Sequence, residues 1–196
     1  MKRIGLVMMF LAVAAFAFAT EGSGRLAVNT TQSTISWLGK KVTGEHGGMI
    51  SVKAGIISVE NGELKHADIS VDMTSMSCTD DMDDESKRNL IGHLQSPDFF
   101  NTAEHATSNF TMKSFDKGHD GKYTVTGTLT IKGIKQDISF PADIKITDQE
   151  VIVDADVTFD RSKYDIRYGS DSFFDDLGDK VIYDEVGMKL HIVASL

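Results

Sequence analysis

Hydrophobic and polar residues alternate along most of this chain, which is the period-two pattern of β-strands. In the clearest run, residues 123–131, apolar or small residues occupy every second position and threonines occupy the positions between them. Gly133 predicts a tight turn, after which the alternation resumes over residues 134–146. The turn-like segment 147–149 then leads into a third alternating run over residues 151–159. The pattern predicts an antiparallel meander of long strands.

The first half of the chain repeats this pattern. Residues 56–59 run into Asn61-Gly62, a strong hairpin signal, and the alternation resumes over residues 64–73. Further strands are predicted at residues 25–29, 34–38, 48–53, 107–115 and 187–194.

Two stretches interrupt the alternation. Residues 84–94 have the apolar spacing of a helix, and Ser96-Pro97-Asp98 has the N-cap residue, proline and acid that begin a second short helix. Residues 161–185 are rich in glycine, aspartate and tyrosine and show no clear period, which indicates a long connection or lid.

Strands of this length, joined by short turns, favour a closed barrel over a sandwich. We therefore predict an all-β fold, an eight-stranded antiparallel up-and-down barrel of lipocalin-like type, with one or two short helices. A barrel of about eight strands is wide enough to hold one small or elongated ligand.

The N-terminus has the pattern of a secretory signal peptide. Basic Met1-Lys2-Arg3 precedes an apolar run over residues 4–18, and Ala17-Phe18-Ala19 forms a small-x-small cleavage site. The apolar run is shorter than the about 20 residues that a membrane span needs, and no cysteine follows the site. We expect residues 1–19 to be a signal peptide and residues 20–196 a single domain, periplasmic or secreted, without a stable membrane anchor.

The net charge of the chain bears on its binding partners, and its cysteine content bears on how the fold is stabilised. The formal net charge is -9, so we expect no nucleic-acid binding, which needs a basic surface. Cys78 is the single cysteine, so no internal disulfide can support the fold even in an oxidising compartment. The barrel must depend on its apolar core.

Candidate chemistry is sparse. The six histidines are scattered without the spacing of a zinc site, and no Gly-x-Ser-x-Gly elbow or phosphate-binding glycine loop is present. The acidic runs 80–85 and 171–179 lack the spacing of a calcium loop, so we interpret them as solvated loops. We predict no catalytic residue and no metal site.

Several motifs in combination resemble the YceI-like family of secreted, lipocalin-like polyisoprenoid-binding proteins. The motifs are Ser33-Thr34-Ile35-Ser36-Trp37, the run from His93 to Phe100, Asn109-Phe110, the run from Gly127 to Gly133, the run from Asp160 to Tyr164, and Asp184-Glu185-Val186. The resemblance spans about residues 26–196. It implies an eight-stranded barrel whose deep apolar tunnel takes an isoprenoid tail, frequent homodimers, and no catalysis.

The main hypothesis is thus a non-catalytic carrier or store for an isoprenoid-type lipid, with no cofactor other than a bound isoprenoid or quinone-type lipid. The residues expected to line the tunnel are Trp37, Ile69, Val71, Phe110, Met112, Leu129, Ile131, Phe140 and Phe159. His93 and Arg161 are the polar candidates for a headgroup or the barrel mouth. Their alternative is structural, with His93 bonded to backbone near the 96–97 turn and Arg161 paired with a nearby acid such as Asp160 or Asp165.

Two other hypotheses remain open. Apolar inward faces also suit a filled barrel that acts as a stress-related or structural interaction protein without a lipid ligand, because periodicity does not distinguish a packed core from a pocket. A metal- or heme-assisted enzyme would require His46, His93 or His105 to converge.

Overall fold

Nine β-strands and one α-helix form from the residues that the computed structural model describes, which are 24–118, 122–147 and 149–195. The predicted signal peptide, residues 1–19, lies outside these ranges. The elements in chain order are β1 Gly24–Val28, β2 Thr34–Lys41, β3 Gly44–Glu60, β4 Glu63–Cys78, α1 Asp84–Gln95, β5 Thr107–Lys117, β6 Tyr123–Ile131, β7 Ile134–Ile146, β8 Glu150–Asp160 and β9 Ile182–Ser195. Two short 3-10 helices, Arg161–Tyr164 and Gly178–Lys180, lie between β8 and β9.

The strands close into a barrel. From β2 onward each strand pairs antiparallel with the next in the chain, and β9 pairs with β2. Strands β1 and β2 both lie between β3 and β9, one after the other, so together they occupy a single position. The barrel therefore has eight positions, and the predicted up-and-down topology is confirmed.

Strand β3 is longer than predicted. The sequence indicated separate strands at 48–53 and 56–59, whereas one strand runs from Gly44 to Glu60. Its register against β4 shifts between Val52 and Ala54, which leaves Lys53 as the extra residue of a β-bulge. A bulge moves the alternation by one residue, and for this reason one strand looks like two in the sequence.

Helix α1 is confirmed, but the second predicted helix is wrong. The Asp83 carboxylate caps α1 by accepting from Ser86 N at 2.9 Å. Residues 96–104 form turns instead of a helix. Here the chain folds back on the end of α1, with Phe100 N donating to Leu94 O at 3.0 Å, and Asn101 adopts a φ of 46° that a helix does not contain.

The interior is packed tightly at one end of the barrel, where the β3–β4, β5–β6 and β7–β8 connections lie. We call this the closed end. The buried residues that fill it are Leu26, Ile57, Leu64, Val125, Ala142, Val151 and Ala194. The opposite end, called the mouth, carries the β2–β3 and β6–β7 hairpins, helix α1 with residues 96–106, and the β8–β9 connection.

Replacement of Ile57, which is 2% exposed at the closed end, tests where the stability of the fold resides. We expect Ile57→Ala to lower the free energy of unfolding by about 2–5 kcal/mol, because the packed surroundings cannot collapse into the vacated space. Urea unfolding followed by circular dichroism measures this. The matched control Ile69→Ala, farther toward the mouth where the interior is less filled, should cost clearly less. Equal losses would contradict uneven packing.

Candidate functional site

A cavity of about 190 Å³ occupies the half of the barrel nearer the mouth. Its wall includes residues from all eight barrel positions, and they are apolar with few exceptions. Helix α1 and residues 96–106, which we call the cap, add three apolar side chains to the wall, those of Leu94, Phe99 and Phe100.

The size of the cavity bears on what it can hold. An apolar cavity of about 150 Å³ in a protein core is large enough to bind benzene. The cavity in this barrel, at about 190 Å³, is somewhat larger. The barrel is therefore hollow, with room for part of a lipid tail.

The structure places most of the predicted lining residues on the cavity wall. These are Trp37, Ile69, Val71, Phe110, Leu129, Ile131, Phe140 and Phe159. Met112 is absent from the wall and is 7% exposed within the packed core. It shares a strand face with Phe110, but alternation predicts only the face of a strand and not the depth at which the interior becomes filled.

The sequence analysis missed other wall residues. On the strands they are chiefly Ile35, Ile50, Met73, Met76, Ile138, Val157, Met188, Leu190 and Ile192. Four of them, Ile35, Met73, Ile138 and Val157, lie two residues from a predicted lining residue on the same strand, so the alternation could have found them. No lining residue was predicted on β3 or β9, which carry Ile50, Met188, Leu190 and Ile192. Leu94 lies in the correctly predicted helix α1, but Phe99 and Phe100 carried no comparable signal, because the turn that contains them was predicted to be a helix.

Gly127, the first residue of the motif from Gly127 to Gly133, leaves space for a neighbouring aromatic ring. It pairs with Met112 on β5, and the ring of the neighbouring Phe110 lies directly over it. A Cβ at this position would come within 2.4 Å of the ring. The ring centroids of Phe110 and Phe140 are 5.6 Å apart. Glycine thus provides the space that allows an aromatic ring to lie flat against the wall.

Arg161 reaches the cavity wall, but its donors are directed at protein oxygens. Its side chain is buried and donates to four backbone carbonyls of the β8–β9 connection and the start of β9, namely Ile166 at 3.0 Å, Tyr168 at 2.9 Å, Ile182 at 2.8 Å and Tyr183 at 3.2 Å.

The acidic partner of Arg161 is Asp184, with Nη2 and Oδ1 3.3 Å apart, and not the Asp160 or Asp165 considered from the sequence. Burial lowers the pKa of Arg161, and the charges of Asp184 and Asp160 act against this. The other Asp184 oxygen accepts from the hydroxyls of Ser170 at 2.9 Å and Ser172 at 2.6 Å. The geometry supports a positioning role for Arg161.

His93 lies outside the cavity wall. Its ring packs edge-on against Phe99 at 4.9 Å and Tyr168 at 4.6 Å between centroids, and its Nε2 is 3.4 Å from Asp98 Oδ2. These contacts join the cap to the β8–β9 connection. The sequence analysis suggested a backbone partner, whereas the observed partners are side chains.

The histidines considered for a metal site lie in separate environments. His46 Nδ1 is 2.7 Å from Asp80 Oδ2, whereas His105 lies near Gly133. Burial raises the pKa of Asp80, but hydrogen bonds from His46 and the Gly47 N–H outweigh it, so the pKa is lowered overall. Within the described parts of the chain, no three His, Cys, Asp or Glu side chains form a group that could hold a metal ion.

A closed eight-stranded antiparallel barrel with an apolar interior cavity defines the class of lipocalin-like barrels. The family model of the YceI-like domain matches residues 26–194. The chain therefore belongs to the YceI-like domain family. A search of the curated proteins found no match.

Solved structures with the same fold share little sequence identity with this chain. BcnA of Burkholderia cenocepacia is 21% identical with a TM-score of 0.67, and the alignment covers 86% of this chain and 99% of BcnA. A polyisoprenoid binding domain from Saccharophagus degradans, implicated in plant cell wall breakdown, is 13% identical with a TM-score of 0.62 and coverage of 87% and 97%. The YceI protein of Campylobacter jejuni is 17% identical with a TM-score of 0.57 and coverage of 100% and 93%.

Among the described residues, no helix is long and apolar enough to span a membrane.

Substitution of Arg161 tests its positioning role. We expect Arg161→Lys to lower the free energy of unfolding by about 2–4 kcal/mol, because a lysine retains the charge but leaves buried carbonyls unpaired. Urea unfolding gives this loss, and limited proteolysis should show faster cleavage between β8 and β9. The exposed neighbour Lys163 provides the control, since Lys163→Met should unfold like the wild type. Wild-type behaviour of Arg161→Lys would contradict the role.

Tyr164 provides a pH test of the same region. Its side chain is 1% exposed, its hydroxyl has no hydrogen-bond partner among the described residues, and burial, followed by the charge of Asp160, raises its pKa to about 12. Because the folded pKa exceeds the unfolded value near 10, its stabilising contribution is present below pH 10 and is lost as the pH rises toward 12.

We expect Tyr164→Phe to match or exceed wild-type stability at neutral pH, and to lose less stability than the wild type between pH 10 and 12. Urea unfolding across this pH range, with a spectrophotometric tyrosine titration, measures both effects. Parallel losses in the two proteins would show that Tyr164 ionises normally.

Proposed function

We propose that this chain binds the hydrocarbon tail of an isoprenoid-type lipid in the barrel cavity and acts as a non-catalytic carrier or store outside the cytoplasm. The observation that carries the proposal is the apolar cavity in the mouth half of the barrel. The proposed location, periplasmic or secreted, rests on the predicted signal peptide.

Hydrophobic burial accounts for binding by such a cavity. Removing apolar surface from water contributes about 25 cal/mol per Å², or about 0.8 kcal/mol for each buried CH₂ group. A flexible tail loses conformational freedom when it is bound, which offsets part of this gain. The aromatic wall residues Trp37, Phe110 and Phe140 offer large, rigid contact surfaces to a branched, unsaturated tail.

The headgroup of the lipid is expected to stay at the mouth. The Arg161 donors are directed at backbone carbonyls and Asp184, and His93 lies off the wall. A polar group drawn into the cavity would exchange water for a wall with few polar side chains, chiefly those of Trp37, Ser108 and Asn109, which costs free energy. The fit of the tail therefore determines which lipid is bound, and quinone-type and other isoprenoid headgroups are compatible with the site.

The YceI-like domain and the similarity to a polyisoprenoid binding domain also support the proposal. The filled-barrel alternative requires an interior packed solid, and the cavity argues against it. The metal- or heme-assisted alternative requires three histidines to converge, whereas His46, His93 and His105 have separate surroundings.

A variant that fills the cavity tests the proposal. Ile138 lies on the wall, and the next residue on β7, Ser139, is exposed on the outer face. We expect Ile138→Trp to weaken binding of geranylgeraniol about tenfold, since the space lost is worth about two CH₂ groups of the tail. Native mass spectrometry and fluorescence titration against detergent-dispersed geranylgeraniol measure the affinity.

The matched control Ser139→Trp places the same side chain outside the barrel and should bind like the wild type. A wild-type protein that takes up no geranylgeraniol, and that carries no lipid when purified from its native envelope, would overturn the proposed function.

A further inference from the structure

Large apolar side chains are exposed at the mouth of the barrel. Among the described residues, the exposed large hydrophobic ones are Val42, Tyr168, Phe173, Phe174 and Tyr183, with exposed fractions from 40% to 49%. Val42 lies in the β2–β3 hairpin, Tyr183 at the start of β9, and the other three in the β8–β9 connection. We call these five residues the aromatic rim.

Hydrogen bonds hold the rim together. The Arg161 guanidinium donates to the carbonyls of both Tyr168 and Tyr183, at 2.9 and 3.2 Å, so these two residues lie side by side. Val42 N donates to Val181 O at 3.1 Å, which brings the β2–β3 hairpin against the strand that begins beside Tyr183. The amides of Phe173 and Phe174 donate to Ser170 O, and the Ser170 hydroxyl bonds to Asp184.

The rim is continuous with the cavity. Tyr183 contributes to the cavity wall and is also 48% exposed, and its neighbour Ile182 lies on the wall. An apolar path therefore leads from the outer surface at Tyr183 to the interior. Whatever covers the rim also covers the entrance to the cavity.

Charge restricts what can cover the rim. The stretch from Arg167 to Lys180, which contains Phe173 and Phe174, has a net negative charge. Its four aspartates, Asp171, Asp175, Asp176 and Asp179, are exposed and outnumber its two exposed cations, Arg167, which lies 5.0 Å from the centroid of the Phe173 ring, and Lys180. Carboxylates at these positions repel an anionic surface, and salt screens that repulsion. Phenylalanine and tyrosine side chains, in contrast, partition favourably into the interface of a lipid bilayer.

We propose that the aromatic rim docks on the surface of a lipid bilayer with zwitterionic headgroups, so that a lipid tail passes between the membrane and the cavity without crossing water. The role in tail transfer rests on the proposed function, whereas docking itself is a separate property. A protein partner on the rim would close the cavity entrance, while a bilayer offers the tail a continuous apolar route. The observations therefore favour the membrane.

The test compares binding to vesicles with binding of a free ligand. We expect the wild type to cosediment with phosphatidylcholine vesicles, and Phe173→Ser/Phe174→Ser to reduce the partition coefficient about tenfold or more, because two apolar anchors are lost. Both side chains are exposed, so the variant should fold normally and should bind detergent-dispersed geranylgeraniol like the wild type. Val42→Ser, on a different segment of the rim, should weaken vesicle binding in the same direction.

Charge variants provide the matched control. Addition of phosphatidylglycerol to the vesicles should weaken wild-type binding at low salt, and both added salt and Asp175→Asn/Asp176→Asn should restore it. Wild-type protein that binds geranylgeraniol but not phosphatidylcholine vesicles would overturn docking and leave the proposed function intact. A rim variant that abolishes a concentration-dependent dimer, without any vesicle binding by the wild type, would instead assign the rim to a second copy of the chain.

Discussion

The mouth of this barrel depends on one buried cation. The Arg161 guanidinium lies in a low-dielectric interior, where a charge is tolerated only if its donors are paired. Its acceptors are carbonyls from both ends of the segment between β8 and β9, together with Asp184. These bonds therefore restrict the segment between β8 and β9 to one favourable conformation. Tyr168, whose carbonyl is one of the acceptors, also packs against His93, so the same interaction fixes where the connection meets the cap.

Most of the stability of the barrel comes from the closed end and not from the mouth. The closed end is packed with aliphatic side chains such as Ile57, Leu64 and Val151, and dense packing of this kind supplies most of the dispersion and burial energy of a small domain. The mouth half can then remain partly empty without unfolding. The rings of Phe110 and Phe140 form part of its wall, and Gly127 on the adjacent strand leaves space for the Phe110 ring.

The sequence predicted the barrel well because period-two alternation is a local property that is present in most strands. The sequence did not predict how far the cavity extends along each strand, or where the chain folds back on itself. Phe110 and Met112 share a face, yet only Phe110 reaches the cavity, because the filled region begins between them. The bulge at Lys53 divided one strand into two apparent strands. The helix-start signal at Ser96-Pro97 was overridden when the chain folded back to bury Phe99 and Phe100 in the cap. Arg161 could not be assigned partners, because its acceptors are backbone atoms whose positions depend on the folded connection.

A packed closed end and a single mouth also restrict how any ligand moves. A bound tail would have to enter and leave at the mouth, because buried side chains such as Ile57, Leu64 and Val151 fill the closed end. Arg161, the charged group on the cavity wall, is already bonded to protein oxygens, so it does not attract a headgroup strongly. The affinity for a tail therefore comes from apolar contact along its length, and release requires an equally apolar destination. In a barrel of this shape, a lipid tail would be taken up and released by the same route through the mouth. The affinity of the cavity for the tail, compared with that of the surface beside the mouth, would then decide the direction of transfer.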